Sequence, residues 1–212
     1  MREKLRQEKT AELYSCMHDF AGDGIAIGLD EVGRGALAGP LAVGAVALKP
    51  QPQIFGLDDS KKLTARRREE LSAIIKHDCV AWAVAYILPK DIDECGMAAS
   101  LKAAFSKALQ DCVAKLESEP SAILIDGNPL HLHKNEQSIV KGDGKCACIA
   151  AASIVAKVSR DKLMIEKSQE YPGYAFESNK GYGSAQHINA IQTLGPTDMH
   201  RKTFLGNILQ ML

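Results

Sequence analysis

The sequence predicts an α/β protein: a mixed five-stranded sheet flanked by helices, with a small C-terminal helical appendage. Three observations lead there. Short apolar runs of strand length recur between Ile25 and Lys141, each closed by Gly or Pro. The first three are closely joined, which suits antiparallel pairing, whereas the later strands are reached through helices, which suits parallel crossovers. Beyond Lys167 only short periodic segments remain, broken by Pro172, Gly173, Gly181 and Gly183. The expected division is a helical extension over 1–24, a core over 25–175 and a helical substrate-binding segment over 176–212.

Taken in order, Glu3 to about Phe20 reads as a helix, with Leu5, Leu13, Met17 and Phe20 near one face. Ala21-Gly22-Asp23-Gly24 breaks it. Ile25 to Asp30 is the first strand and Leu41 to Leu48 the second, separated by Gly33, Gly35 and Gly39-Pro40. Asp59 or Ser60 is expected to cap a helix that contains Leu63, Leu71, Ile74 and Ile75. Cys79 to Leu88 is the third strand, ended by Pro89, and Asp91 to about Leu116 one helix with apolar residues every fourth position. Ala122 to Asp126 and Gln137 to Lys141 complete the strands, closed by Gly127 and Gly142. Cys148 to about Lys167 is a long helix, and Ser184 to Leu194 a shorter one ended by Gly195-Pro196. The tail after Thr203 is short and apolar.

Composition excludes more than it selects. With 212 residues, 46% of them hydrophobic, the chain can bury a core without disulfides or a structural metal. Twenty-six basic residues balance 26 acidic ones, so global charge makes no case for a polyanion partner. The cluster Lys61, Lys62, Arg66, Arg67 and Arg68 runs into Glu69 and Glu70, and reads first as a solvated helix face. The six cysteines form no C-x-x-C pair and are expected to be reduced thiols of a cytoplasmic protein. The N-terminus MREKLRQEKT has no apolar stretch of signal-peptide type, and no segment is long enough for a membrane helix, so no membrane partner is expected. Neither G-x-G-x-x-G nor G-x-x-x-x-G-K-[ST] is present.

The informative residues are acids at strand ends. Asp30 and Glu31 close the first strand, Asp126 the fourth, and Asp143 follows the fifth. An Asp before Gly is also ordinary turn chemistry. Several carboxylates gathered beside a core are costly, however, unless a cation compensates. An all-oxygen set suits Mg2+ or Mn2+, and two such ions about 4 Å apart can activate water and stabilise a leaving oxygen in phosphoryl transfer. A metal-free carboxylate pair of glycosidase type is the alternative. Lys141 and Lys145 beside Asp143, and Arg34 three residues after Glu31, favour a phosphate substrate or simply balance charge. Gly33-Arg34-Gly35 lets backbone approach a sugar or phosphate, or makes a tight turn.

The run G-L-D-E-V-G-R-G-A-L-A-G-P-L at residues 28–41 resembles the signature of bacterial ribonuclease HII. In order follow Asp59-Ser60-Lys61-Lys62-Leu63, Ile125-Asp126-Gly127, Val140-Lys141-Gly142-Asp143, the run from Ile149 to Asp161, Lys180-Gly181-Tyr182-Gly183 with His187, and His200-Arg201-Lys202-Thr203-Phe204. Arg34 argues against the related ribonuclease HIII, where threonine is usual. The resemblance implies an RNase H-like fold and endonucleolytic cleavage of RNA in RNA–DNA hybrids. It also implies incision 5′ of single ribonucleotides in duplex DNA, leaving 3′-hydroxyl and 5′-phosphate ends. It implies that Asp30, Glu31, Asp126 and Asp143 bind Mn2+ or Mg2+, with two ions during catalysis. Gly33, Arg34 and Gly35 would read the ribose 2′-OH, and Tyr182 would pack against the adjoining deoxyribose. Lys61, Lys62, Ser153, Lys157 and Arg160 would contact phosphate. The departures from the family's common pattern are small: Gly144, Cys146, Ser184 and Thr203. A monomer is expected, and nothing in the sequence supports a sliding-clamp contact. The rivals are a nuclease or recombinase acting on DNA alone, and a non-catalytic hybrid-binding module.

Overall fold

A computed structural model of the chain describes residues 2–51 and 54–209. Helix α1 (Arg2–Ala21) is followed by strands β1 (Ala26–Val32) and β2 (Leu41–Leu48), helix α2 (Ala65–Asp78) and strand β3 (Ala81–Ile87). Then come helices α3 (Pro89–Cys95) and α4 (Met97–Val113), strands β4 (Ala122–Asp126) and β5 (Glu136–Ile139), and helix α5 (Ala147–Glu170). Short helices α6 (Phe176–Asn179), α7 (Ala185–Leu194) and α8 (Gly206–Leu209) follow. The five strands form one sheet in the order β3-β2-β1-β4-β5, the five-stranded α/β architecture that the sequence predicts. Both β1–β4 and β4–β5 pair in parallel. No helix among the described residues is long and apolar enough to cross a membrane.

Several boundaries differ from expectation for local reasons. The 91–116 helix is two helices, because Gly96 at φ 79° ends α3; Pro89, which closes β3, opens α3 at its first turn. Asp59 caps only a 3-10 turn over Ser60–Lys62, accepting from the Lys61 N–H at 2.9 Å, and the cap of α2 is Thr64. β5 stops at Ile139 because Lys141 adopts a left-handed conformation. In α1 the buried stripe is Thr10, Leu13, Tyr14, Met17 and Ala21, whereas Leu5 and Phe20 are exposed. Leu5 sits on the opposite side of the helix from that stripe. A short helix, α6, occupies part of the stretch expected to be irregular. Residues 210–212 of the apolar tail lie outside the described residues.

The chain forms two compact units. The first comprises Met1–Glu31, Val43–Ala85 and Phe105–Val158; the second comprises Val32–Ala42, Tyr86–Ala104 and Ser159–Leu212. In the first, Leu13, Tyr14 and Met17 of α1 join Val46 and Leu48 of β2, Leu71 and Ile75 of α2, Leu124 of β4 and the buried start of α5 in one apolar cluster. A Cβ on Gly28 would lie 2.1 Å from the Cys148 carbonyl carbon, and one on Gly44 2.5 Å from the Ala152 oxygen. Only glycine on the strands, and a run of small residues on α5, lets the helix backbone come this close. Side chains two apart on a strand share a face, so α5 crosses β1 on the face that carries Asp30.

In the second unit, Ala38, Met164, Tyr174, Phe176, Ala190, Ile191, Met199 and Leu205 pack together. A single bridge joins Ala38 to His200. Asp93 accepts from the backbone N–H groups of Lys202 (2.8 Å) and Thr203 (3.0 Å), which fixes the start of the last 3-10 turn.

Candidate active site

Strand register gathers the acids. Leu29 is opposite Ile125 in the parallel β1–β4 pair, so the next residues, Asp30 and Asp126, stand level on neighbouring strands and face the same way. Asp126 is in turn opposite Ile139, the last residue of β5. The chain then reverses through Lys141, and the Gly142 N–H donates to Asp126 Oδ1 at 2.7 Å. This bond fixes the 3-10 turn Gly142–Gly144 that presents Asp143. One carboxylate oxygen from each of Asp30, Asp126 and Asp143 lies within 4.8 Å of the others. Three strand ends that the sequence leaves ambiguous one by one therefore converge.

The cost of that convergence falls on Asp30. Burial above all pushes its carboxyl from 3.8 up to about 8; Asp126, Glu31 and Asp143 add to the rise, and a hydrogen bond from Ser153 opposes it. Burial also raises Asp143, together with Asp59 and Asp126, while Lys61 counteracts. Without a cation Asp30 holds a proton at neutral pH. A divalent cation suits such a set, because it removes the repulsion and meets hard oxygen donors. Glu31 is half-buried and close enough to act on Asp30, but it is not one of the three converging residues. As its neighbour on the strand, it starts from the opposite face.

Around the acids, Ser153 of α5 serves the carboxylate rather than the surface. It is buried, hydrogen-bonds Asp30, and its oxygen lies 3.0 Å from the Ser60 hydroxyl, which can donate to it. Lys61 and Lys62 are exposed, with the Lys61 ammonium 3.9 Å from Asp143. They line a cleft of about 470 Å³ with Asp59, Lys141, Asp143, Gly144 and Lys145, so the basic groups stand next to one of the acids. Lys157 is half-buried one turn after Ser153 on α5.

The remaining predicted residues belong to the second unit. Gly33 has φ +85°, and a Cβ there would meet the Arg160 side chain at 2.2 Å, so glycine is required twice over. Arg34 and Gly35 are exposed. Arg160 is expected to contact phosphate, but it is wholly buried, and its guanidinium donates to the carbonyls of Pro40 (2.8 Å), Lys180 (2.9 Å) and Ala38 (3.1 Å). It fastens loops instead. Its guanidinium carbon is 5.4 Å from the centre of the half-buried Tyr182 ring. Arg201, which spacing alone does not single out, does the same work. It is fully buried and donates to the carbonyls of Arg34 (2.9 Å) and Gly39 (2.9 and 3.1 Å). Burial lowers both guanidinium groups, Arg201 to about 10. In the sequence Arg201 is visible only as part of the His200-Arg201-Lys202-Thr203-Phe204 motif, which assigns it no role.

A parallel-strand acidic cluster on this five-stranded α/β sheet defines an RNase H-like, acid-centred hydrolase. The chain belongs to the ribonuclease HII family, whose family model matches residues 27–206. It is 44% identical over 177 residues to ribonuclease HII of Bacillus subtilis (strain 168), covering 84% of this chain and 68% of that one. It is 41% identical over 207 residues to ribonuclease HII of Clostridium perfringens (strain 13 / Type A), covering 96% and 75%. Its fold is similar to the crystal structure of ribonuclease H2 from Pyrococcus horikoshii OT3, with a TM-score of 0.73, 26% identity, and 88% and 98% of the two chains covered.

Proposed function

We propose that this protein is an endonuclease that hydrolyses the RNA strand of RNA–DNA hybrids and incises 5′ of single ribonucleotides in duplex DNA, leaving 3′-hydroxyl and 5′-phosphate ends. The observation that carries this reading is the convergence of the Asp30, Asp126 and Asp143 carboxylates. Asp30, Glu31, Asp126 and Asp143 are the residues to hold the metal. Mg2+ or Mn2+, two ions in the working enzyme, would supply Lewis-acid activation of water and charge stabilisation at the phosphate.

The chain's own residues do the rest. Ser153 orients the Asp30 carboxylate, and the Gly142 N–H orients that of Asp126. Lys61 and Lys62 attract the phosphate backbone to the cleft beside Asp143. The exposed Arg34 and Gly35, two or more residues beyond the acidic pair in sequence, offer backbone groups to a ribose 2′-hydroxyl with Gly33. Tyr182 packs against the deoxyribose that follows the ribonucleotide. The working unit in this reading is a monomer. A pure hybrid-binding module would gain nothing from a buried acidic cluster, which only weakens phosphate affinity.

Asp126→Asn tests the assignment. Hybrid cleavage with Mg2+ or Mn2+ should vanish while circular dichroism stays native. Wild-type cleavage that survives chelation, or an active Asp126→Asn variant, would refute it.

A further inference from the structure

Two histidines that this chemistry does not use are buried in the second unit, one on α7 and one at residue 200. Their Nε2 atoms are 3.2 Å apart. Neighbouring backbone decides which protons they carry. The Thr197 N–H, which can only donate, is 3.0 Å from His200 Nδ1. The Thr197 hydroxyl oxygen lies 2.9 Å from the same nitrogen; with the N–H donating to it, His200 Nδ1 accepts and the neutral ring holds its proton on Nε2. That proton goes to His187 Nε2, so His187 holds its own on Nδ1. His187 Nδ1 is 2.9 Å from the Tyr182 carbonyl, which can only accept. The two ends of the relay thus require the same tautomers independently.

Protonating either ring breaks this pattern. It would set two N–H groups face to face across the gap, or an Nδ1–H against the Thr197 N–H with the Thr197 hydroxyl oxygen as its acceptor. The surroundings oppose protonation as well. The rings of Tyr174 and Phe176 pack on both histidines, with centroids 4.9 to 6.5 Å away. Burial lowers both imidazoles, against the Tyr182 backbone at His187; with the neighbouring ring it brings His200 to about 4, against the Thr197 backbone and Asp198.

We infer that His187 and His200 are positioning residues for recognition at the ribonucleotide–deoxyribonucleotide junction, because the relay from Thr197 through both rings holds the Tyr182 carbonyl and so sets the ring of Tyr182. This rests on the reading of Tyr182 given above. The loop around it is tied at other points too. The Tyr182 N–H donates to Asn179, and the Gly181 carbonyl accepts from Leu37 (2.8 Å) and Ala38 (3.1 Å), just after the Gly33–Gly35 turn. The Ser184 N–H also donates to the Tyr182 carbonyl (2.8 Å), and the relay adds a side-chain donor to that same oxygen.

Two variants of one residue test it. An asparagine amide can replace Nδ1 and keep the bond to Tyr182, whereas a glutamine amide replaces Nε2 and loses it. His187→Gln should lower kcat/KM on a DNA duplex with one ribonucleotide by about tenfold, as expected for one lost buried hydrogen bond, and change cleavage of a long hybrid far less. His187→Asn should restore most of the junction activity. Equal effects of both variants, or equal losses on both substrates, would overturn the inference. Nitrogen NMR of the wild type gives a check independent of the variants' folding: His200 protonated on Nδ1, or titrating near 6.5, would overturn it too. Tyr182→Ala separates the two layers. If it leaves junction preference intact, the Tyr182 reading fails and takes the relay with it. If it abolishes the preference while His187→Gln does not, the relay alone fails.

Discussion

Removing one catalytic carboxylate should make the metal-free protein more stable. Asp30 is nearly wholly buried among three other acids and is pushed from 3.8 to about 8. Unfolding releases that burden. Between about pH 4 and pH 8 the folded state therefore binds more protons than the unfolded one, and stability contributed by protonated Asp30 is lost as pH rises. Taking 1.36 kcal/mol per pH unit from 3.8 to pH 7 sets a ceiling of about 4 kcal/mol, and sharing of charge with Asp126, Glu31 and Asp143 lowers this to about 2–4 kcal/mol. Asn keeps the shape and is neutral at every pH. Asp30→Asn in EDTA at pH 7 should thus melt roughly 5–15 °C above wild type, since 1 kcal/mol moves a domain of this size by about 2–4 °C. The difference should shrink toward pH 4. Mg2+ or Mn2+ should raise the melting temperature of wild type more than that of the variant. Calorimetry in EDTA at pH 4.5, 6, 7 and 8 decides it. A variant less stable than wild type at pH 7, or a gap that does not depend on pH, would show that the acids do not repel one another as described.

Other consequences follow from single contacts. Gly28→Ala would place a methyl 2.1 Å from the α5 backbone at Cys148, and should cost about 2–4 kcal/mol in urea unfolding. A variant within 0.5 kcal/mol of wild type would mean that α5 is not seated on β1 as described (the ordinary surface scale being about that value). His200, at about 4 when folded and near 6.5 unfolded, binds its proton in the unfolded state first. Its contribution is present above pH 6.5 and lost as pH falls toward 4, by about 1–2 kcal/mol after allowance for solvent screening. His200→Gln should lack that part of the acid sensitivity, and equal acid slopes would count against it. Lys61→Ala with Lys62→Ala, in an Asp126→Asn background, should reduce the salt dependence of hybrid binding by about 1–2 counterions. An unchanged slope would remove both lysines from the phosphate contacts.

The parts of this site that local rules govern were readable from the chain. An apolar run that ends in acid marks a strand terminus (Asp30-Glu31, and Asp126 before Gly127), and parallel register then sets Asp30 beside Asp126. Tertiary facts were not readable. Asp59, Ser60 and Thr64 are all good cap residues, and only the path of the chain assigns Asp59 to a 3-10 turn and Thr64 to α2. Gly96 inside a helical period looks tolerable until its positive φ is seen. A cation in a nuclease motif suggests phosphate, yet Arg160 has its donors committed to three carbonyls. Long-range carbonyl partners leave no periodic trace, so Arg160 and Arg201 could not be separated from surface arginines. Ser153 sits at i−4 from Lys157, a spacing that reads as a solvated face; the glycine on β1 that brings α5 down turns it inward instead.

The central claim is an acid-centred nuclease that requires a 2′-hydroxyl before it cuts. Its most direct test is an end-mapped digest of two DNA duplexes that differ by one ribonucleotide, with Mg2+, with Mn2+ and with EDTA. The account predicts a single metal-dependent break 5′ of the ribonucleotide, with 3′-hydroxyl and 5′-phosphate ends, and an intact all-DNA duplex. Cleavage of the all-DNA duplex, or of either duplex in EDTA, would contradict it.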